Sequence, residues 1–290
     1  MPEMTYPALY HSADKAAARF HRLFLALIAG EYILLILASA FLLIPEADRL
    51  LHVAYAVIFV VAIGFLSYRT IRKPEQAWGL TRAIAEQVKS YAWRYAMRAE
   101  PFEDNDKARA SFRDYLRTTM TGQHDLGAHV AGGRPGTEAI TAEMDEIRAG
   151  DLVTRRDYYR DNRLGDQVDW YAHKAAGNRR AGLAWVTACI IVLLIGFVVA
   201  LLKIVYHHEL DRIAIEPLII IASSILGWMQ ANKYNQLAAS YTIAAYETGL
   251  MLGQLEETDT EEAFARLVDD AETTFARENH QWAAKQQGGH

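Results

Sequence analysis

Residues 181–202 read AGLAWVTACIIVLLIGFVVALL, 22 positions without one charged side chain. A bilayer core takes about 20 mostly apolar residues in an α-helix, so this stretch is long enough to span one. Three further runs accompany it. Leu23–Ile44 has 22 residues and one charge, Glu31, while Leu50–Leu66 has 17 with His52 as its one basic group. Ile213–Met229 adds 17 with Glu216 as its sole charge. The mean hydropathy of -0.03 over 290 residues averages this segregation away. The pattern predicts an all-α membrane protein with four transmembrane helices in two hairpins and long cytoplasmic helical extensions. It argues against a soluble enzyme. A secreted disulfide scaffold is excluded too, because the one cysteine, Cys189, lies inside a span. A net charge of -5 disfavours a nucleic-acid binder built on phosphate contacts.

Orientation follows from the basic residues beside the spans. Lys15, Arg19 and Arg22 precede the first, and Arg69, Arg72 and Lys73 follow the second. Lys174, Arg179 and Arg180 precede the third, and Lys233 follows the fourth. Those ten cations share one side, against Arg49, Lys203 and Arg212 in the connecting loops. The ten-to-three bias places both termini in the cytoplasm of an inner-membrane, multi-pass protein. Trp185 and Trp228 sit where interfacial indoles belong. The first run is too long for a signal-peptide core and is followed at once by a second span. The expected organisation is a first hairpin over 1–68, with spans near 23–44 and 50–67. A cytoplasmic helical region covers 69–178, and a second hairpin covers 179–232, with spans near 181–204 and 213–231. A cytoplasmic helical tail takes 233–290.

The polar regions carry helical periodicity. Leu80, Ile84, Val88, Tyr91 and Tyr95 form one apolar stripe, on a helix expected to end before Pro101. Phe112, Tyr115 and Leu116 mark a second helix, and Ile140, Met144 and Ile147 a third that stops at Gly150. Thr154–Arg180 reads as a helix entering the third span directly. The fourth span is expected to run on without a break, making Ile213–Glu256 one helix of about 66 Å. Lys15-Ala16-Ala17 and Lys174-Ala175-Ala176 stand at matching places before the first and third spans, a weak sign of a parallel internal repeat.

Gln87-Val88-Lys89-Ser90-Tyr91-Ala92-Trp93-Arg94-Tyr95, followed by Pro101-Phe102, resembles the helix after the first hairpin of SLATT-domain proteins. Tyr159, Arg163, Gln167, Trp170-Tyr171 and Lys174-Ala175 resemble the signature that enters the second hairpin. Glu278 and Trp282 are similar to the C-terminal helix motif. The resemblance covers roughly residues 10–285 in a tandem arrangement. It implies a bacterial effector that forms pores in the membrane and works beside nucleotide-synthesising or nucleotide-sensing defence components. No fused nucleotide sensor is recognised in this chain.

Catalytic chemistry is not evident, and the chain is read as a non-enzyme without cofactor or metal. Gly122–Gly136 is glycine-rich but lacks the lysine and hydroxyl that complete a P-loop, so it reads as a loop. His124, Asp125 and His129 lack a fourth ligand at motif spacing. His207-His208-Glu209-Leu210-Asp211 is not the zinc-protease pattern and reads as a solvated loop.

The polar groups within the spans say more, because hydrocarbon makes each one costly unless it is paired or hydrated. Glu31 is either a pore-facing acid or a carboxyl paired between helices. Glu216, Ile220, Ser223, Gly227, Gln230 and Tyr234 share one face of the fourth span. That face either packs tightly through Ser223 and Gly227 or lines an aqueous path. The pore-lining candidates are therefore Glu31, Glu216, Ser223, Gly227 and Gln230. The expected partners are the lipid bilayer, further copies of the chain and a nucleotide-signalling protein, with no nucleic acid. The competing expectation is a non-conducting membrane scaffold or sensor whose cytoplasmic helices bind a partner.

Overall fold

The computed structural model describes residues 2–44, 49–121, 138–206, 210 and 213–287, with the backbone alone for 277–287. Among them every regular element is helical and none is a strand. The glycine-rich stretch with His124, Asp125 and His129, and all of the 207–211 cluster except Leu210, lie outside the described residues. The chain divides into two compact units. A polar unit takes Met1–Arg22, Pro74–Ala172 and Thr242–His290; an apolar unit takes Leu23–Lys73 and His173–Tyr241.

Among the described residues, three helical stretches are long and apolar enough to cross a membrane: Ala8–Leu43, Arg49–Met97 and Leu152–Val205. The first holds α1 (Ala8–Ala40) and one 3-10 turn, and the second holds α2 (Arg49–Arg72) and α3 (Pro74–Met97). The fourth expected span is shorter. It is α8 (Glu216–Asn232), 17 residues and so about 26 Å of helix, against a hydrocarbon core of about 30 Å. Within the apolar unit Gly30 of α1 lies against the Phe65 ring of α2, and the Phe41 and Tyr55 rings meet edge to face at 5.3 Å.

The expectation of one unbroken helix from Ile213 to Glu256 is corrected. Lys233 adopts a left-handed conformation, φ 50°, with its N–H on the Met229 carbonyl at 2.9 Å, and α9 (Tyr234–Glu256) begins afresh. The first half of the chain repeats this joint. Lys73 has φ 43°, its N–H donates to the Arg69 carbonyl at 2.9 Å, and α3 begins at the next residue. A left-handed residue satisfies an otherwise orphaned helix-end carbonyl and redirects the chain. Lys73 follows Lys15 at almost the interval by which Lys233 follows Lys174, so the repeat expected from three residues reappears in the backbone.

In the polar unit, α3 starts on Pro74, whose missing N–H costs nothing in a first helical turn. Its predicted stripe packs inward: Ile84, Val88 and Tyr95 are buried, Leu80 and Tyr91 half-buried. The helix ends at Met97, ahead of Pro101 as expected. The Phe112 helix is α4 (Ala108–Thr121) and the Met144 helix is α5 (Ala142–Ala149), which stops at Gly150. The Thr141 hydroxyl caps α5 on the Met144 N–H at 3.2 Å, and the Asp151 carboxylate caps α6 (Leu152–Tyr159) on the Thr154 N–H at 2.8 Å. The helix expected to enter the third span is present but not uniform. Between α6 and α7 (Asp166–Val205) lies a π turn, Arg160–Gly165. The last helix, α10 (Glu261–Gln287), packs along α3 and has the Thr260 hydroxyl at its N-terminus.

Candidate functional site

The motif residues on α3 meet charges that the apolar stripe gave no reason to expect. Arg163 in the π turn is buried and donates to both oxygens of Glu272 on α10, each at 2.7 Å. The Glu272 side chain is fully buried. Tyr159 donates its hydroxyl to the same carboxylate at 3.0 Å. The Arg163 guanidinium also lies over the Phe275 ring at 4.9 Å and the Trp93 ring at 5.8 Å. Burial opposes its charge, but the Glu272 carboxylate outweighs burial and holds Arg163 protonated. Burial and then the Glu272 charge push the Tyr159 phenol well above its ordinary range. An ion pair this dry survives because both carboxylate oxygens of Glu272 accept from Arg163 and one also accepts from Tyr159.

Lys89 projects its ammonium toward the Tyr6 ring at 5.7 Å, and burial, then nearby Arg163, lower its pKa. Trp93 is buried and donates its indole N–H to the Tyr6 hydroxyl at 3.0 Å. Arg94 binds the Asp269 carboxylate and donates to the Thr273 hydroxyl at 2.7 Å, tying α3 to α10. Tyr95 donates to Asp145 at 2.7 Å. Two more buried arginines finish the C-terminal end of α3. Arg148 donates to the Tyr95 carbonyl at 2.6 Å and the Phe102 carbonyl at 2.7 Å, and Arg155 donates to the Met97 carbonyl at 2.7 Å. Buried helix-end carbonyls require such donors.

Residues 2–7 are stitched across this core. The Met4 N–H donates to the Tyr158 hydroxyl at 3.0 Å, and that hydroxyl donates to the Pro2 carbonyl at 2.9 Å. The Thr141 hydroxyl donates to the Thr5 carbonyl at 3.1 Å. Beside the segment lies a cavity of about 710 Å³, lined in part by Glu3, Tyr6, Trp93, Tyr158, Asp161 and Asp166. At the entry to α7, Tyr171 is buried beside the Phe275 ring, Trp170 and Gln167 are half-buried, and Lys174 is exposed. Trp282 is in α10, but its side chain lies outside the described residues. The aromatic motif residues Trp93, Tyr95 and Tyr171 are therefore core, in keeping with the usual use of large aromatics. Sequence reading missed Glu272, Arg148 and Arg155. Their one signal is a charge at a position where a helical face turns inward.

The pore-lining candidates are in the apolar unit. Glu31 is paired with Arg69 at 3.1 Å, so its carboxylate faces a cation of the neighbouring helix. The antiparallel hairpin sets Gly30 beside Phe65, so Glu31 lies level with the last turns of the second apolar run. Tyr32, the next residue, lies so close to Gly227 that a side chain there would have to displace its hydroxyl. That glycine is occupied by packing between α1 and α8. The rest of the face differs. Glu216, Ser223 and Gln230 are exposed, and Ile220 and Tyr234 are half-buried. Among the described residues, no group of three or more His, Cys, Asp or Glu side chains is placed to hold a metal ion.

Two family models match the chain. The one described as SMODS and SLOG-associating 2TM effector domain 3 matches residues 7–156, and SMODS and SLOG-associating 2TM effector domain 1 matches 159–282. The junction falls at the end of α6, just before the π turn. No curated protein and no solved structure matches. Each match takes in two apolar helices and the helices after them, including one of the two left-handed lysines. The chain belongs to the SLATT family, as two of its domains in tandem.

Proposed function

We propose that this chain is a bacterial inner-membrane effector that oligomerises through its apolar unit and conducts ions, in nucleotide-signalled antiviral defence. One observation carries the reading beyond the family. Ser223 and Gln230 are exposed on α8, the most central element of the predicted fourth span. Lipid offers such side chains no hydrogen-bond partner. Their face therefore needs a second subunit or water, and a ring of subunits around an aqueous path supplies both. Both termini and residues 74–173 are cytoplasmic in this reading, following the ten-to-three cation bias. The polar unit then faces the compartment in which a nucleotide-signalling partner works.

The test is current through planar bilayers holding the purified full chain, with native mass measurement of the same preparation in lipid particles. Discrete conductance steps and an assembly of several copies are expected. Ser223→Leu with Gln230→Leu should insert yet lose the current. A monodisperse monomer without current overturns the proposal. The competing reading, a non-conducting scaffold that binds a partner, draws on the Tyr32–Gly227 contact, which uses part of the stripe for internal packing. It is favoured if the assembly forms and carries no current. Cysteines placed at 47 and 209 should react with an impermeant reagent from outside, and one at 130 should not.

A further inference from the structure

The π turn Arg160–Gly165 interrupts a helical stretch that otherwise runs unbroken from Leu152 to Val205. On the α6 side, Arg155 and Tyr158 are buried and bonded to Met97, Glu261 and the N-terminal segment. On the α7 side, Asp166–Ala172 still belongs to the polar unit, with Tyr171 buried beside the Phe275 ring, and the same helix enters the apolar unit at His173. The wide turn is kept open by one anchor and one permissive residue. Arg163 and Leu164 are buried, with Arg163 clasped by Glu272. Gly165 closes the turn, and a Cβ there would meet the Arg160 carbonyl oxygen at 3.1 Å.

Bonds from i to i+5 in place of i to i+4 take up about one extra residue, and one residue is about 100° of α-helical rotation. We propose that this π turn is a torsion joint. When Arg163 leaves Glu272, Arg160–Gly165 winds to α-helix, and α7 turns by about 100° relative to α6. The extra residue is stored in the π state and released in the α state, so a change at the Arg163–Glu272 clasp passes along α7 as rotation. Wide turns inside long helices are often sites of such function. The joint does not require that the apolar unit conducts, and its test reads rotation and not current.

Single cysteines at 168, 169, 171 and 172 of the full chain in lipid particles, in a Cys189→Ser background, report the phase of α7. In the present state Asp169 and Ala172 are exposed, Val168 half-buried and Tyr171 buried. A water-soluble maleimide should therefore label 169 and 172 and spare 171. Gly165→Ala crowds the π turn and favours α-helix, and Glu272→Gln weakens the clasp on Arg163. In Gly165→Ala the labelled face should begin to shift by one residue position, and in the double variant it should shift fully, exposing 168 or 171 and protecting 169 or 172. If the double variant fails to fold, Gly165→Ala alone decides. An unchanged phase overturns the joint. So does uniform labelling of all four positions in folded Gly165→Ala protein, which means local melting and not rotation.

Discussion

The polar unit and the apolar unit follow opposite rules of burial. In the polar unit the hidden groups include full charges: Arg155, Arg163 and Glu272 are almost or wholly buried. In the apolar unit α2 has no buried residue, and Leu50 and Val60 are 73% and 69% exposed. Water drives apolar groups inward and lets a charge follow only with its partner. Lipid removes that drive, and helices then associate through small residues and close fit. Gly30 against Phe65 and Gly227 against Tyr32 are such fits. The two units should therefore fail in different ways.

The sharpest break is Arg163→Ala. It leaves the Glu272 carboxylate buried without its cation, which costs about 3–5 kcal/mol. Hydrogen exchange on the full chain in lipid particles should show α3 and α10 losing protection while α2 keeps its own. Arg163→Met with Glu272→Met should recover most of the loss. A change below about 1 kcal/mol in the single variant would place the stability of the polar unit elsewhere.

Gly227→Leu tests the apolar unit. Its side chain collides with Tyr32, an overpacking worth about 1–3 kcal/mol. Unfolding in mixed micelles should come earlier, and Tyr32→Ala should restore it if fit is what matters. A substitution without effect would mean that α1 and α8 do not depend on this contact.

Alkali separates the units by charge. Burial is the main reason the Tyr6 phenol is pushed up to about 12, with Arg163 pulling partly the other way. A pKa raised on folding gives stability that is whole below the unfolded value of about 10 and is lost as pH climbs toward 12. Protection of α3 should decline across that window, and Tyr6→Phe should flatten the decline. An equal slope in both proteins would exclude Tyr6 as the titrating group.

The smallest effect is expected at the paired lysines. Left-handed backbone is strained for any residue with a Cβ, so Lys73→Gly and Lys233→Gly should each stabilise by about 0.5–1 kcal/mol. Thermal melts of the two variants should move up by similar amounts. A gain at one position only would break the equivalence of the two joints.

The apolar spans were legible because length and absence of charge are properties of the sequence itself. The stripe on α3 was legible for the same reason, since Ile84, Val88 and Tyr95 recur at helical period. The break at Lys233 was not. Lysine carries no signal for left-handed backbone, and helical spacing continues across it, at Gln230, Tyr234 and Leu237. The charged core was hidden by convention: a glutamate at 272 on a polar helix reads as solvated until Arg163 is brought to it from 109 positions away. Of the pore-lining candidates, Glu31 and Gly227 are engaged by Arg69 and Tyr32, contacts between helices that no local pattern encodes.

A lysine turned left-handed at the exit of each hairpin is a shared detail that duplication of one ancestral two-helix unit would leave behind. The chain is then a dimer written as a single polypeptide. If such chains close into a ring as proposed, it would hold twice as many two-helix units as subunits, in strict alternation, and its symmetry would count chains. The Glu31–Arg69 pair belongs to the first half of each chain, so in such a ring it would recur at every second two-helix unit. Duplication also frees one hairpin to change while the other keeps its role. A ring of this kind would alternate two different side-chain sets around its circumference, which a ring of identical single-unit subunits cannot do without breaking its symmetry.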